Sequence, residues 1–127
     1  MAARIAPTGE GATKWFVPDG FWDSNSHGQP SHEALCVLNT GPDDAEVRVT
    51  LYFEDREKMD GFRAVVPAER TKHLRMDRWL ADDGRPVPQD VPYAMTLESS
   101  VPVVVQYSWL DTAQAEMALM TTIAYRI

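Results

Sequence analysis

The sequence has a single cysteine and no apolar run long enough to cross a membrane. Its longest strongly apolar stretch is residues 101–105, whereas a membrane-spanning helix needs about 20 apolar residues. The N-terminal residues lack the apolar run of about seven or more residues that marks a secretion signal. Cys36 has no partner for an internal disulfide, which agrees with a reducing compartment. We therefore expect a cytoplasmic protein that does not insert into membranes.

The motifs of several common enzyme classes are also missing. The sequence contains no Gly-x-Ser-x-Gly elbow, no phosphate-binding loop, no dinucleotide-binding glycine pattern and no His-Glu-x-x-His. Two acidic pairs, at residues 43–44 and 82–83, lie in stretches rich in Gly and Pro, where adjacent acids are typical of solvated turns. These absences favour a non-enzymatic binding protein, and we expect no cofactor.

Positive charge is scarce. The net charge is −7, which argues against nucleic acid and anionic lipid as partners because both bind positive surfaces. The charge is nevertheless uneven, since residues 63–78 hold five Lys and Arg against two acids, whereas residues 43–60 hold seven acids against three bases. A local patch that prefers anions is compatible with this distribution.

Alternation of apolar and polar residues is the main structural signal. In residues 45–53 every second residue is apolar, which predicts a half-buried strand. Residues 32–38 form another strand pattern, and the turn-forming residues 39–44 between the two patterns predict a hairpin. Eight short strands are predicted in this way, at residues 14–17, 32–38, 45–53, 62–66, 71–76, 93–98, 103–110 and 117–125.

The fold class predicted from this pattern is all-β. Eight short strands separated by turn residues are typical of an antiparallel β-sandwich or a small barrel. A chain of 127 residues supports one hydrophobic core, so we predict a single domain over residues 14–127, preceded by a flexible arm at residues 1–13. Helical structure is limited to a single turn at residues 77–80 and a start of helix at residues 112–119.

The histidines allow two interpretations. His27, His32 and His73, together with Glu33, could meet around a divalent metal ion because imidazole and carboxylate are common ligands. However, the closely spaced His pairs of known metal motifs are missing. The alternative is that these histidines form local hydrogen bonds on the surface, and this pattern favours it. Cys36 lies inside a strand pattern, where a free cysteine is most often a small buried residue.

Two polar groups within strands are candidates for ligand binding. His73 and Arg75 share one face of an extended segment, and such side chains recognise carboxylate, phosphate or hydroxyl groups. The alternative is a solvated face, or pairing with Glu33 or Glu98. Gln106 lies in a strand that is partly apolar on both faces, so its amide needs a partner from a pocket, an interface or the fold itself.

Four ordered blocks of the sequence resemble the sensory rhodopsin transducer family, and together they extend from about residue 15 to the C-terminus. The resemblance implies a small jelly-roll-like β-sandwich that forms homotetramers and binds a polar small molecule such as a sugar. It also implies a soluble signalling transducer whose partner is a membrane receptor such as a sensory rhodopsin. The blocks are residues 31–41, 66–75, 101–111 and 118–125.

The positions that match the family's blocks supply the candidate site, and no metal is assigned to it. Two hypotheses from other classes stay open. One is a protein-interaction module that docks on a membrane receptor and has no ligand pocket. The other is a metal-dependent, cupin-like sugar enzyme that uses three of the candidates, His32, Glu33 and His73. The resemblance implies that the ligand is surrounded by His32, Glu33, Arg70, His73, Arg75, Gln106 and Asp111.

Overall fold

The computed structural model describes residues 10–24, 31–112 and 118–127. Within these residues the chain forms eight strands, all paired antiparallel, and no α-helix, so no helix in the described chain is able to span a membrane. The all-β antiparallel fold predicted from the alternation is confirmed, as is the sandwich that the family resemblance implies. The strands are β1 (Ala12–Gly20), β2 (His32–Asn39), β3 (Ala45–Phe53), β4 (Met59–Val66), β5 (Arg70–Arg75), β6 (Tyr93–Asp111), β7 (Ala118–Ile123) and β8 (Tyr125–Arg126).

Strand β6 belongs to both layers of the sandwich. Its 19 residues are more than three times the usual length of a strand. The first half pairs with β1 and β3, and the second half pairs with β2 and β7. We call the order β4-β3-β6-β1-β8 the first sheet and the order β5-β2-β6-β7 the second sheet. The pairing changes around Pro102, which has no amide hydrogen to donate to a ladder.

The core lies between the two sheets and follows the predicted alternation. In β3, Val47 and Val49 are 1% exposed or less. On the other face of the strand, Arg48 is exposed and Thr50 is half-buried. Leu35 and Val37 of β2 and Val105 of β6 close the core from the second sheet with no exposed surface. Burying apolar area at about 25 cal/mol per Å² is the main force that holds the layers together.

The connection between β2 and β3 differs from the predicted hairpin. Strand β2 pairs with β5 and β6, whereas β3 pairs with β4 and β6, so the turn passes from the second sheet to the first. The buried side chain of Asn39 fixes this crossing. Its Nδ2 donates to the carbonyls of Asp43 (2.8 Å) and Val66 (3.1 Å), and its Oδ1 accepts from the amide of Gly41 (3.0 Å).

Three further predictions differ in detail from the structure. The predicted strands 93–98 and 103–110 are one strand, and the predicted strand 117–125 divides into β7 and β8 at the buried residue Ala124. The predicted helical turn is a short 3-10 helix at Met76–Arg78. The predicted start of helix at 112–119 falls mostly on residues 113–117, which lie outside the described residues, as do residues 1–9 and His27.

Candidate functional site

The outer face of the second sheet brings together two of the predicted site residues. In the register of the four strands, His73 of β5 lies opposite Cys36 of β2, and Cys36 lies opposite Gln106 of β6. Gln106 in turn lies opposite Ile123 of β7. Since neighbouring strands are about 4.8 Å apart, His73 and Gln106 are separated by roughly 10 Å. We call His73, Cys36 and Gln106 the central row.

Exposed apolar side chains border the central row. Leu38 is 43% exposed, and Leu119 and Ile123 of β7 are 72% and 62% exposed. Their register places all three on the outer face. Large apolar side chains grouped on one surface are typical of an interaction site. The outer face therefore combines a polar centre with an apolar border.

The amide of Gln106 finds its partner within this face. Its Nε2 donates a hydrogen bond to Oγ1 of Thr121 on β7, and the hydroxyl of Ser108 lies 3.1 Å from the same oxygen. These contacts hold β7 in register against the centre of the sheet. The partner of the Gln106 amide therefore comes from the fold itself, which is one of the three sources expected from the sequence. Its side chain nevertheless lies at the surface of the sheet.

Arg75 is held by an acid that the sequence did not indicate. Its Nε and Nη2 donate to the two carboxylate oxygens of Asp77, each at 2.8 Å. Burial on its own would raise the pKa of Asp77, but the hydrogen bonds and charge of Arg75 outweigh it, and His32 adds a smaller effect in the same direction. The pKa of Asp77 is therefore lowered. This bidentate ion pair occupies the guanidinium edge that was expected to meet a ligand.

Glu33 faces the core and not the outer face. Only 1% of its surface is exposed, and its carboxylate is enclosed by three donors from the rest of the sandwich. The hydroxyl of Tyr93 donates to Oε1 at 2.5 Å, while the hydroxyl of Tyr107 and the amide of Phe21 (2.7 Å) donate to Oε2. Three hydrogen bonds satisfy a buried carboxylate that would otherwise be costly.

The environment of Glu33 changes the acidity of the whole cluster. Burial raises the pKa of Glu33, although the hydrogen bonds from Tyr107, Tyr93 and Phe21 partly offset that effect. The pKa values of Tyr93 and Tyr107 are raised well above their ordinary value, by burial first and then by the adjacent carboxylate. Both tyrosines therefore stay protonated and act as hydrogen-bond donors at neutral pH.

A glycine makes the Glu33 cluster possible. A Cβ at Gly20 would lie 2.9 Å from the ring of Tyr93 and 3.2 Å from Oε2 of Glu33. The burial of Glu33 could have been predicted from the alternation, because Glu33 shares a strand face with Leu35 and Val37. Nothing in the sequence indicated that Gly20 and Tyr93 would meet it, because they come from distant parts of the chain.

The remaining predicted site residues lie apart from the central row. Arg70 is exposed at the start of β5, opposite Asn39, and donates to the carbonyl of Glu69 at 3.0 Å. Asp111 ends β6 beyond the pairing of His32 with Leu110, at the opposite end of the second sheet. At about 3.3 Å per residue, roughly 25 Å separates the two ends. One small molecule cannot contact both.

The three residues of the metal hypothesis do not form a site together. Glu33 points into the core, whereas His73 lies on the outer face of the same sheet. His32 is four residues along β2 from Cys36, the partner of His73, which corresponds to roughly 13 Å. Among the residues that the structure describes, no group of three or more His, Cys, Asp or Glu is arranged to hold a metal ion.

A family model and two solved structures are similar to this chain. The model of the Anabaena sensory rhodopsin transducer family matches residues 10–126. The crystal structure of Thermotoga maritima 1070 is similar, with 39% sequence identity, a TM-score of 0.83, and coverage of 92% of this chain and 96% of that one.

A second solved structure, the Anabaena sensory rhodopsin transducer, has 37% identity and a TM-score of 0.67, and it covers 77% of this chain and 96% of its own. No curated protein sequence matched. The match over nearly the whole chain, with both structures above 30% identity, shows that this chain belongs to the Anabaena sensory rhodopsin transducer family.

Proposed function

We propose that this chain is a non-enzymatic signalling transducer that makes its protein contacts through the outer face of the second sheet. The observation that carries the proposal is the exposure of Leu119 and Ile123 on β7, beside the polar central row. A monomer gains nothing from leaving two large apolar side chains in water, whereas a partner that covers them gains about 1.5–3 kcal/mol for each one fully buried.

The partner that we propose is a membrane receptor such as a sensory rhodopsin, with the transducer in the cytoplasm. The structure of the Anabaena sensory rhodopsin transducer supports this proposal through its name and its 37% identity.

We also propose that copies of the chain assemble into a homotetramer through the part of this face around Ile123, which leaves the Leu119 end of β7 for the receptor. In a closed assembly, apolar side chains of one copy cover those of another. Such a contact would enclose His73 and Gln106, whose donors could then hold a polar small molecule such as a sugar between subunits. Glu33 would support that pocket from the core side and Arg75 from beside it on the same face, because both are already paired within the fold.

Receptor docking is tested with a sensory rhodopsin held in lipid nanodiscs on a sensor surface. The wild-type chain is expected to bind saturably, and Leu119→Lys is expected to weaken binding at least tenfold because it places a charge in the apolar border. Leu80→Lys is the matched control, since Leu80 is 58% exposed but lies outside the second sheet. Absent wild-type binding, or equal loss in both variants, would contradict the docking proposal.

The small-molecule part is tested by calorimetry with neutral sugars. His73→Ala is expected to weaken any saturable binding by roughly tenfold, the value of one or two lost hydrogen bonds. Lys58→Ala, an exposed residue between β3 and β4, should leave the affinity unchanged. If neutral sugars bind equally to wild type and His73→Ala, the central row is not their site.

A further inference from the structure

A second candidate site lies on the opposite side of the sandwich, on the outer face of the first sheet. There β1, β3, β4 and β6 surround an open cleft of about 720 Å³, which falls in the range of small-molecule pockets. None of the residues assigned to the site by sequence lines it. Its polar lining includes Lys14, Glu46, Arg48, Arg63, Glu98 and Ser100.

The cleft contains a row of charges that crosses four strands. Lys14 lies opposite Glu98, Glu98 lies opposite Arg48, and Arg48 lies opposite Arg63. Like charges placed directly opposite each other on neighbouring strands are destabilising. The repulsion between Arg48 and Arg63 therefore lowers the stability of the fold locally.

The two arginines differ in their partners. The Nε of Arg63 forms an ion pair with Asp82 at 3.1 Å, which holds that guanidinium at the rim of the cleft. Arg48 forms no ion pair in the described part of the chain, although Glu98 is its cross-strand neighbour. An anion between the two guanidinium groups would relieve their repulsion and could accept hydrogen bonds from both.

The other wall of the cleft presents hydroxyl and carboxylate groups. The Oγ of Ser100 accepts a hydrogen bond from the amide of Glu46 at 2.9 Å, so its own hydrogen points elsewhere. The carboxylates of Glu46 and Glu98 are acceptors for ligand hydroxyl groups. This wall lies near Pro102, where the pairing of β6 changes from the first sheet to the second.

We propose that this cleft binds a hydroxylated small molecule that carries a phosphate or a carboxylate. Arg48 and Arg63 hold the anionic group, and Glu46, Glu98 and Ser100 contact the hydroxyl groups. The inference goes beyond the proposed function, because it names a class of ligand and a site separate from the central row.

The test is isothermal calorimetry of the full chain with glucose 6-phosphate, glucuronate and glucose. At least one of the two anions is expected to bind saturably and at least tenfold more tightly than glucose. Arg48→Gln is expected to weaken that binding at least tenfold, whereas Arg56→Gln, which removes an exposed arginine between β3 and β4, should leave it unchanged. Comparing the two anions distinguishes phosphate from carboxylate recognition.

Stability provides a second measurement on the same variants. Because Arg48→Gln removes a like-charge contact, its urea midpoint should equal or exceed that of the wild type, so weaker binding cannot be attributed to unfolding. The inference is overturned if neither anion binds, if glucose binds as tightly, or if Arg48→Gln keeps full affinity. Anion binding that is lost in His73→Ala and kept in Arg48→Gln would overturn this cleft alone and leave the proposed function standing.

Discussion

The hydroxyl of Tyr93, on the first sheet, donates a 2.5 Å hydrogen bond to the carboxylate of Glu33, on the second sheet. This contact ties the two layers at one end of the sandwich. Tyr107 and the amide of Phe21 complete the set of donors around the same carboxylate. Glu33 therefore acts as a structural acceptor behind the outer face that we assign to protein contacts.

Removing this acceptor should destabilise the fold. Glu33→Ala leaves two tyrosine hydroxyls and one amide without their partner and opens a cavity, so the free energy of unfolding should fall by about 2–4 kcal/mol. Urea denaturation at pH 7 measures the change. Glu57→Ala, an exposed residue, should stay within about 0.5 kcal/mol of the wild type. Equal effects of the two substitutions would show that the cluster contributes little.

The same carboxyl should give the fold a characteristic dependence on pH. Because the pKa of Glu33 in the folded chain is raised above its ordinary value of 4.5, the folded state binds the proton more tightly than the unfolded state does. The part of the stability that comes from this tighter proton binding is fully present below pH 4.5 and is lost as pH rises through the raised pKa.

Glu33→Gln should flatten this part of the profile, because the amide does not titrate. The measurement is a series of urea denaturations between pH 4 and pH 8 on both proteins. As pH rises, the unfolding free energy of the wild type should fall relative to that of Glu33→Gln. A difference that is constant over this range would show that Glu33 does not titrate differently in the folded chain.

The close approach of Gly20 to Tyr93 predicts a specific coupling. Gly20→Ala should lower the free energy of unfolding by about 1–3 kcal/mol, since its Cβ would be 2.9 Å from the Tyr93 ring. In a Tyr93→Leu background the obstructing ring is gone, so Gly20→Ala should cost less. A double-mutant cycle measured by urea denaturation should give a coupling of at least about 0.5 kcal/mol. Strict additivity would rule out the contact as the cause.

The ion pair of Arg75 and Asp77 should matter more than a similar pair in solvent. Asp77→Asn is expected to cost about 1 kcal/mol at neutral pH, a value reduced from that of a fully buried charged hydrogen bond because the pair is partly exposed. Since the pKa of Asp77 is lowered below 3.8, this stability is present above pH 3.8 and is lost as pH falls through the lowered pKa.

The matched control for Asp77 is Asp83, which pairs with Arg85 at 2.7 Å on the exposed surface. Asp83→Asn should produce no measurable change in stability, because solvent screens an exposed pair. Thermal or urea denaturation at pH 7 and pH 3 compares the two variants. A larger effect of Asp83→Asn than of Asp77→Asn would contradict the role assigned to Arg75.

Much of the fold could be predicted because the signal was local. The alternation in β3 depends only on neighbouring residues, and its predicted bounds agree with the observed strand. The single long β6 could not be predicted, because Pro102 interrupts the pattern and its continuity comes from pairing with four other strands. The crossing between β2 and β3 was missed for the same reason, as turn residues do not reveal which strands pair.

The candidate site was harder to predict because it depends on which side chains meet across strands. Period-two alternation correctly grouped His73 with Arg75. Only the structure shows that the guanidinium group of Arg75 is already paired with the carboxylate of Asp77. The cleft on the first sheet was not indicated, since Arg48 and Arg63 are 15 residues apart in sequence and become neighbours through β3 and β4 pairing.

The most direct test of the central claim, that the outer face of the second sheet makes the protein contacts, is the mass of the chain in solution. Light scattering after size exclusion should give four times the chain mass for the wild type and a smaller assembly for Ile123→Lys. Circular dichroism should show that the variant keeps its β structure, and Leu80→Lys should remain tetrameric. A monomeric wild type, or an Ile123→Lys variant that stays tetrameric, would contradict the claim.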